Sequence, residues 1–338
     1  VDSYRWIEDG PAGQQKIWRD GLAELLDAVS AADGVPALSE EFVRALEEGT
    51  GHRHLLAFDG TGGTERPIGV LAVDVPDVSD AGGTAEIAVH PDFRRRGTAT
   101  GLLREAGRGL DPEAQFSIWA HGNLDAARGL AAGRGARTVR ELLKMTVYCG
   151  PDDPARASLV EGAAAAPTVV SDAGLELLDY PAACEEFGAD LVDAEWLRVN
   201  NEAFAWHPEQ GGWDIDRLRR ARETNWFDPH GVLMLWSRDD NQGPQCAGVH
   251  WTKFPAGDTH GEVYVICLAD AVRGRGLGGP FTLAGIGYLI DAGAQAVDLY
   301  VEGDNTPAVA TYRRLGFESV HRDVGEPPLQ FTESSSGW

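Results

Sequence analysis

Two stretches set the fold of this chain: Val89-His-Pro-Asp-Phe-Arg94-Arg95-Arg96-Gly97-Thr98-Ala99-Thr100 in its first half and Leu268-Ala-Asp-Ala-Val-Arg273-Gly274-Arg275-Gly276-Leu277-Gly278-Gly279 in its second. Each starts at the end of an apolar, strand-like run and leads into a helix-like one, with Arg-x-x-Gly-x-(Gly/Ala) at the joint. The unpaired N–H groups of a helix N-terminus, together with the positive end of its dipole, make such a joint an anion site. Glycine lets the chain turn tightly and lets a phosphate reach the backbone, and arginine adds charge at the rim. One copy is a weak signal, because 42 glycines make chance matches expected. Two copies in the same strand, turn and helix setting are a stronger one.

The surroundings of the two stretches repeat as well. With Gly97 set over Gly276, Trp119-Ala-His-Gly122 lies over Tyr300-Val-Glu-Gly303 and Gly135 over Gly316, with only a small slip in register. An internal duplication accounts for this. In the first half His54–Phe58, Ile68–Val73, Ala85–Val89 and Ser117–Ala120 are expected strands, and Thr98–Arg108 and Asp125–Ala132 expected helices. In the second half Leu175–Leu178, Val232–Trp236, Ala247–Trp251, Glu262–Leu268 and Val297–Val301 are expected strands, and Leu277–Asp291 and Pro307–Leu315 helices. The expected division is a first domain over 1–150, a linker over 151–172 containing Pro151-Asp-Asp-Pro154 and Ala163–Pro167, a second domain over 173–325 and a flexible tail over 326–338.

Composition narrows the function classes. A chain of 338 residues with 43% hydrophobic and 24% charged residues can bury two cores of ordinary size. No apolar run is long enough to span a bilayer, and Val1–Asp20 has no signal-like segment, so a cytoplasmic protein is expected. A net charge of −24 repels nucleic acid and anionic membranes, so neither is an expected partner; a monomer is expected. Cys149, Cys184, Cys246 and Cys267 form no C-x-x-C pair; buried thiols are expected, with no disulfide framework and no metal.

The strand, the Arg-x-x-Gly-x-(Gly/Ala) turn and the helix resemble the acetyl-CoA-binding motif of the GNAT superfamily of N-acyltransferases. Asp304-Asn305-Thr306-Pro307-Ala308-Val309-Ala310, followed by Thr311-Tyr312-Arg-Arg-Leu-Gly316-Phe317, resembles that family's segment of Asn, helix, Tyr and closing Gly-Phe. The resemblance implies an α/β (α+β) fold of two tandem GNAT domains, each a mixed, splayed sheet flanked by helices. It implies acetyl-CoA as co-substrate, with pantetheine against the backbone of Ile266, Cys267 and Leu268, and against Ile87, Ala88 and Val89 in the first copy. The cradles would be Arg273 to Gly279 and Arg95 to Thr100, with Asn305 to Ala310 beside the second. Acyl transfer to an amine needs a base and a proton for the leaving thiolate. Glu262, which opens the cofactor strand, and Tyr312, on the helix after Asn305, are the expected pair. The repeat puts Gly83 under Glu262 and Ala131 under Tyr312, so only the second copy is expected to be catalytic.

A closer resemblance identifies the acceptor. Leu197-Arg-Val-Asn-Asn-Glu-Ala-Phe-Ala-Trp-His207-Pro-Glu209-Gln-Gly-Gly-Trp213 resembles the corresponding segment of the mycothiol synthase family, as do Trp226-Phe-Asp-Pro229, His250-Trp-Thr-Lys253, Gly261-Glu-Val-Tyr264 and Leu299-Tyr-Val-Glu302. The first half agrees more loosely, through Ala85-Glu-Ile87, His90-Pro91 and Trp119-Ala-His121-Gly122. The resemblance implies acetylation of the cysteinyl amine of cysteinyl-glucosaminyl-inositol. It also implies acceptor contacts at Glu209, Lys253, Glu262 and Tyr300, with a further one at Glu40. His207 is expected to support its loop. The alternatives are a GNAT enzyme for another small amine or a protein N-terminus, and a non-catalytic acyl-CoA-binding module.

Overall fold

Runs such as Leu55-Leu-Ala-Phe58 and Ile68-Gly-Val-Leu-Ala-Val73 are apolar on both strand faces. Such strands are stable only inside a sheet covered by helices on both sides. The computed structural model describes residues 3–7, 12–48, 52–60, 66–74, 83–110, 115–133, 140–205, 211–239 and 243–330. It divides into two compact units: residues up to Leu142 together with those from His321 onward, and Leu143–Val320.

The first unit contains β1 (Ser3–Ile7), α1 (Ala12–Asp33), α2 (Glu40–Glu48), β2 (His52–Asp59), β3 (Arg66–Asp74), β4 (Gly83–Val89), α3 (Thr98–Gly109), β5 (Gln115–Ala120) and α4 (Asp125–Ala132). Alternate residues of β2 and β3 face opposite helices. Leu55, Ala57 and Leu71 pack with Leu102, Leu103 and Ala106 of α3, while Leu56, Phe58 and Val70 pack with Leu22, Leu25 and Val29 of α1. This period of two is what a sheet between helix layers requires.

The second unit contains β6 (Arg140–Tyr148), α5 (Arg156–Asp172), β7 (Glu176–Asp179), α6 (Tyr180–Phe187), α7 (Ala189–Ala203), α8 (Ile215–Arg222), β8 (Val232–Asp239), β9 (Gly243–Lys253), β10 (His260–Leu268), α9 (Gly278–Asp291), β11 (Ala296–Glu302) and α10 (Thr306–Arg314). A final strand, β12 (Glu318–Gln330), returns to the first unit and pairs antiparallel with β5, from Val324↔Ala120 to Gln330↔Gln115.

The strand orders confirm the duplication. In the first unit the order is β1-β2-β3-β4-β5-β12, and in the second it is β7-β8-β9-β10-β11-β6. Within each, one pair is parallel, β4–β5 and β10–β11, while β1–β2, β2–β3, β3–β4, β7–β8, β8–β9 and β9–β10 are antiparallel. Each sheet therefore ends on a strand drawn from the other half of the chain. Residues 143–150 join the second unit rather than the first, and residues 321–325 the first rather than the second.

Two expectations change. Residues 156–172, expected as linker, form α5. Alanine favours helix strongly enough to outweigh Pro167, and the small residues permit close packing on α9. A Cβ on Gly162 would meet Leu283 Cδ1 at 2.8 Å, and one on Gly287 would meet Ala163 Cβ at 2.6 Å. The expected tail from 326 is strand as far as Gln330, because β5 offers its edge; 331–338 lie outside the described residues.

Candidate active site

The sheet of the second unit opens where the cofactor strand is expected. β10 pairs with β11 from His260↔Ala296 to Val263↔Leu299, whereas its pairing with β9 continues to Leu268↔Gly248. One edge of Ile266, Cys267 and Leu268 thus directs backbone donors and acceptors into the gap, which an extended amide chain would fill. Cys267 turns its thiol into the core, where burial pushes it up to about 12, so only its backbone can serve a ligand. The first unit opens in the same way. β4 pairs with β5 as far as Glu86↔Trp119 and with β3 as far as Gly69↔Val89, leaving Ile87, Ala88 and Val89 at the gap.

The two turns that follow are built alike. Arg94 Nε donates to Val89 O at 3.0 Å and Arg273 Nε to Leu268 O at 3.1 Å. Arg95 and Gly97 take φ of 62° and 85°, and Gly274 and Gly276 take 75° and 78°. α3 then begins at Thr98 and α9 at Gly278. Arg273 therefore ties the turn down and also pairs with Asp270 at 2.5 Å, while Arg275 donates to Ala173 O at 2.6 Å. Thr98 is buried, with its hydroxyl on Phe93 O, so its side chain braces the turn at the start of α3. Arg96 lies over the Phe93 ring at 5.2 Å. Asn305 caps α10 by accepting from the Ala308 N–H at 3.3 Å, which presents Thr306, Pro307, Ala308, Val309 and Ala310 as a helix start.

A cavity of about 470 Å³ in the first unit is lined by Ile87–Val89, Arg95, Gly97–Thr100, Ile118–His121 and the small residues Ala126, Ala127 and Ala131 of α4. At its edge His121 stands between Glu86 at 3.2 Å and Asp323 at 3.3 Å. Burial opposes the charge on this imidazole, but Asp323 and Glu86 outweigh burial and raise it to about 10.

In the second unit the expected acceptor residues partly converge. Glu262 and Lys253 are cross-strand partners, with Nζ 3.9 Å from Oε2. The buried Lys253 ammonium also lies 5.2 Å over Trp226 and 5.7 Å over Tyr264. An ammonium donor beside a carboxylate acceptor offers a polar molecule hydrogen-bond partners of both kinds. Tyr300, on β11, is exposed, and Lys144 Nζ lies 5.9 Å from its ring. Tyr312 is buried among apolar residues, 5.8 Å from Phe317, and burial pushes its phenol up to about 12. Glu40 opens α2 in the first unit. Trp206 to Gln210, including His207 and Glu209, lie outside the described residues; next to them Asn201 holds Trp213 through two bonds of 2.8 and 2.9 Å.

One registration shifts. A bulge between Val263 and Val265 inserts a residue into β10. By sheet pairing, Glu262 (opposite Lys253) corresponds to Thr84 (opposite Asp74), not to Gly83. A threonine hydroxyl is no better a base than glycine near neutral pH. Two residues that sequence reasoning did not single out, Lys144 and Asp298, stand on the same sheet face as Glu262. Asp298 had a visible signal, a lone acid within the apolar strand Ala296-Val-Asp-Leu-Tyr-Val301.

The splayed parallel pair and the glycine cradle define an N-acetyltransferase of the GNAT class, and residues 196–317 match the model of the Acetyltransferase (GNAT) family. Among solved structures, a GCN5-related N-acetyltransferase from Sphaerobacter thermophilus superposes with a TM-score of 0.64 at 22% identity, covering 96% of this chain and 95% of that one. A tandem GNAT protein from the clavulanic acid biosynthesis pathway gives 0.64 at 18%, covering 96% and 98%. The mycothiol acetyltransferase of Corynebacterium urealyticum is 51% identical, over 89% of this chain and 91% of its own length. That of Mycolicibacterium vanbaalenii is 40% identical, over 96% and 97%. The chain belongs to the mycothiol acetyltransferase family. Among the described residues no helix is long and apolar enough to cross a membrane, and no group of His, Cys, Asp and Glu is arranged to hold a metal ion.

Proposed function

We propose that the second unit transfers an acetyl group from acetyl-CoA to the cysteinyl amine of cysteinyl-glucosaminyl-inositol, giving mycothiol and CoA. The observation that carries this reading is Glu262. It lies on the strand that borders the gap and contacts Lys253, in a chain 51% identical to a mycothiol acetyltransferase. In this reading the pyrophosphate rests on the turn from Arg273 to Gly279 and the helix start of α9, with Asn305 to Ala310 beside it. The pantetheine amides pair with Ile266 to Leu268. Lys253, Tyr300 and Glu209 contact the acceptor.

Glu262 takes a proton from the acceptor nitrogen, directly or through a water. An α-amino group has a pKa of about 8, so a carboxylate has little work to do near neutral pH. Tyr312 gives its proton to the departing thiolate. Its raised pKa keeps the phenol protonated across the neutral range, so the proton is there to give. The first unit, with Thr84 and Ala131 at the corresponding places, holds acyl-CoA in its cavity without turning it over. A cytoplasmic setting, a small-molecule acceptor and a monomer complete the reading. The test is to incubate the full chain with acetyl-CoA and a panel of amines including the cysteinyl pseudodisaccharide, and to follow CoA release by chromatography. Preference for another amine by tenfold or more in kcat/KM would overturn the acceptor assignment.

A further inference from the structure

One polar cluster is left unused by that mechanism, and it adjoins Glu262. Asp298 is buried on β11 between Val297 and Leu299. A buried carboxylate is tolerated only when paired and hydrogen-bonded. Lys144 Nζ lies 2.9 Å from its Oδ2, the Thr146 hydroxyl donates to Oδ1 at 2.5 Å, and His260 Nδ1 lies 3.2 Å from Oδ2. Sheet register places Asp298 directly beside Glu262. Neighbours in register share a face and are separated by about 5 Å, the spacing of adjacent strands. On the other flank of Glu262 stands Lys253. Across β6, β11, β10 and β9 the charges therefore run positive, negative, negative, positive.

This order has an electrostatic consequence. An uncompensated Asp298 would oppose ionisation of Glu262, and an uncompensated Lys144 would favour it but weaken the carboxylate as a base. With both present the two effects largely cancel. We propose that Lys144 and Asp298 form a compensated pair that positions and electrostatically balances Glu262 as the proton acceptor. This rests on the reading of Glu262 as the base. The other titratable groups on this face are Tyr148 on β6 (its ring 6.3 Å from that of His260), His260 and Tyr264 on β10, Tyr300 and Glu302 on β11, and Lys253 on β9. Lys144 also lies over the Tyr300 ring, so the same pair seats a proposed acceptor contact.

The test is the pH profile of kcat/KM for the full chain with acetyl-CoA and cysteinyl-glucosaminyl-inositol. It compares wild type, Lys144→Met, Asp298→Asn and the double variant, with thermal melts as a check on folding. The acidic limb moves up by about half a pH unit or more in Lys144→Met, moves down in Asp298→Asn, and returns to the wild-type position in the double variant. A purely structural pair would lower rates without opposite displacements. Displacement in one direction only, or none, in folded single variants overturns the proposal. Should one single variant fail to fold, the other decides: a limb displaced in the stated direction supports the proposal, and an undisplaced limb overturns it. Glu262→Gln is run alongside. Wild-type turnover in that variant removes the base assignment itself, whereas an inactive Glu262→Gln with undisplaced limbs in the pair removes only the pair.

Discussion

Arg95 and Gly274 occupy corresponding places in the two cradles and share one left-handed backbone conformation, φ 62° and 75°, though only one of them is glycine. A side chain in that conformation costs about 1–2 kcal/mol. A Cβ at Gly274 would meet nothing within 4 Å, so substitution there is resisted by the backbone and by whatever approaches it, not by packing. The second cradle thus offers bare backbone where the first offers a guanidinium stem.

Gly274→Ala should therefore cost about 1 kcal/mol in denaturant unfolding. It should also raise the KM for acetyl-CoA severalfold with little change in kcat. An unaltered KM would show that no ligand approaches this backbone.

Glu262→Gln and Tyr312→Phe should each lower kcat by about a hundredfold or more, the range typical of lost proton transfer. Acetyl-CoA affinity, measured by calorimetry, should change by less than about twofold, since neither residue lies in the cradle. Full turnover in both variants would sink the mechanism.

Gly285→Ala probes the core beneath the cofactor strand. An added Cβ would lie 2.0 Å from His250 Cε1, and the His250 ring is fully buried with Nδ1 2.9 Å from Phe281 O. Relief demands movement of α9 or loss of that bond, at a cost of about 1–3 kcal/mol. Equilibrium unfolding should report it, and an unchanged midpoint would contradict this close approach of α9 to His250.

His121 links stability to pH. Its folded pKa of about 10 stands above the ordinary imidazole value of 6.5, so its stabilisation is full below the unfolded value and is lost as pH rises toward 10. Asp323→Asn should destabilise the first unit at about pH 7 by a few kcal/mol and leave a smaller deficit at about pH 10. A deficit that is the same at both values would mean the carboxylate acts only through shape.

Much of the candidate site's backbone geometry was legible because it is local. The cradle depends on a tether between residues five apart and on left-handed turns at Gly274 and Gly276, all within one short segment. Asn305 caps its own helix three residues on. Helices such as α7 and α8 were not read, since their apolar positions are dispersed among charged residues and gain their stability from the tryptophan-rich core around Trp196, Trp236 and Trp251.

The sequence alone was enough for the duplicated fold, the two left-handed turns that lead into α3 and α9, and the family, because backbone conformation at glycine and the start of a helix are set by neighbours along the chain. It could not supply the exchange of β6 and β12 between the units, the bulge that makes Thr84 rather than Gly83 the counterpart of Glu262, or Lys144 and Asp298 on the same face as Glu262. Those arise from pairing between distant strands, whose register depends on how two cores pack and not on any residue's neighbours.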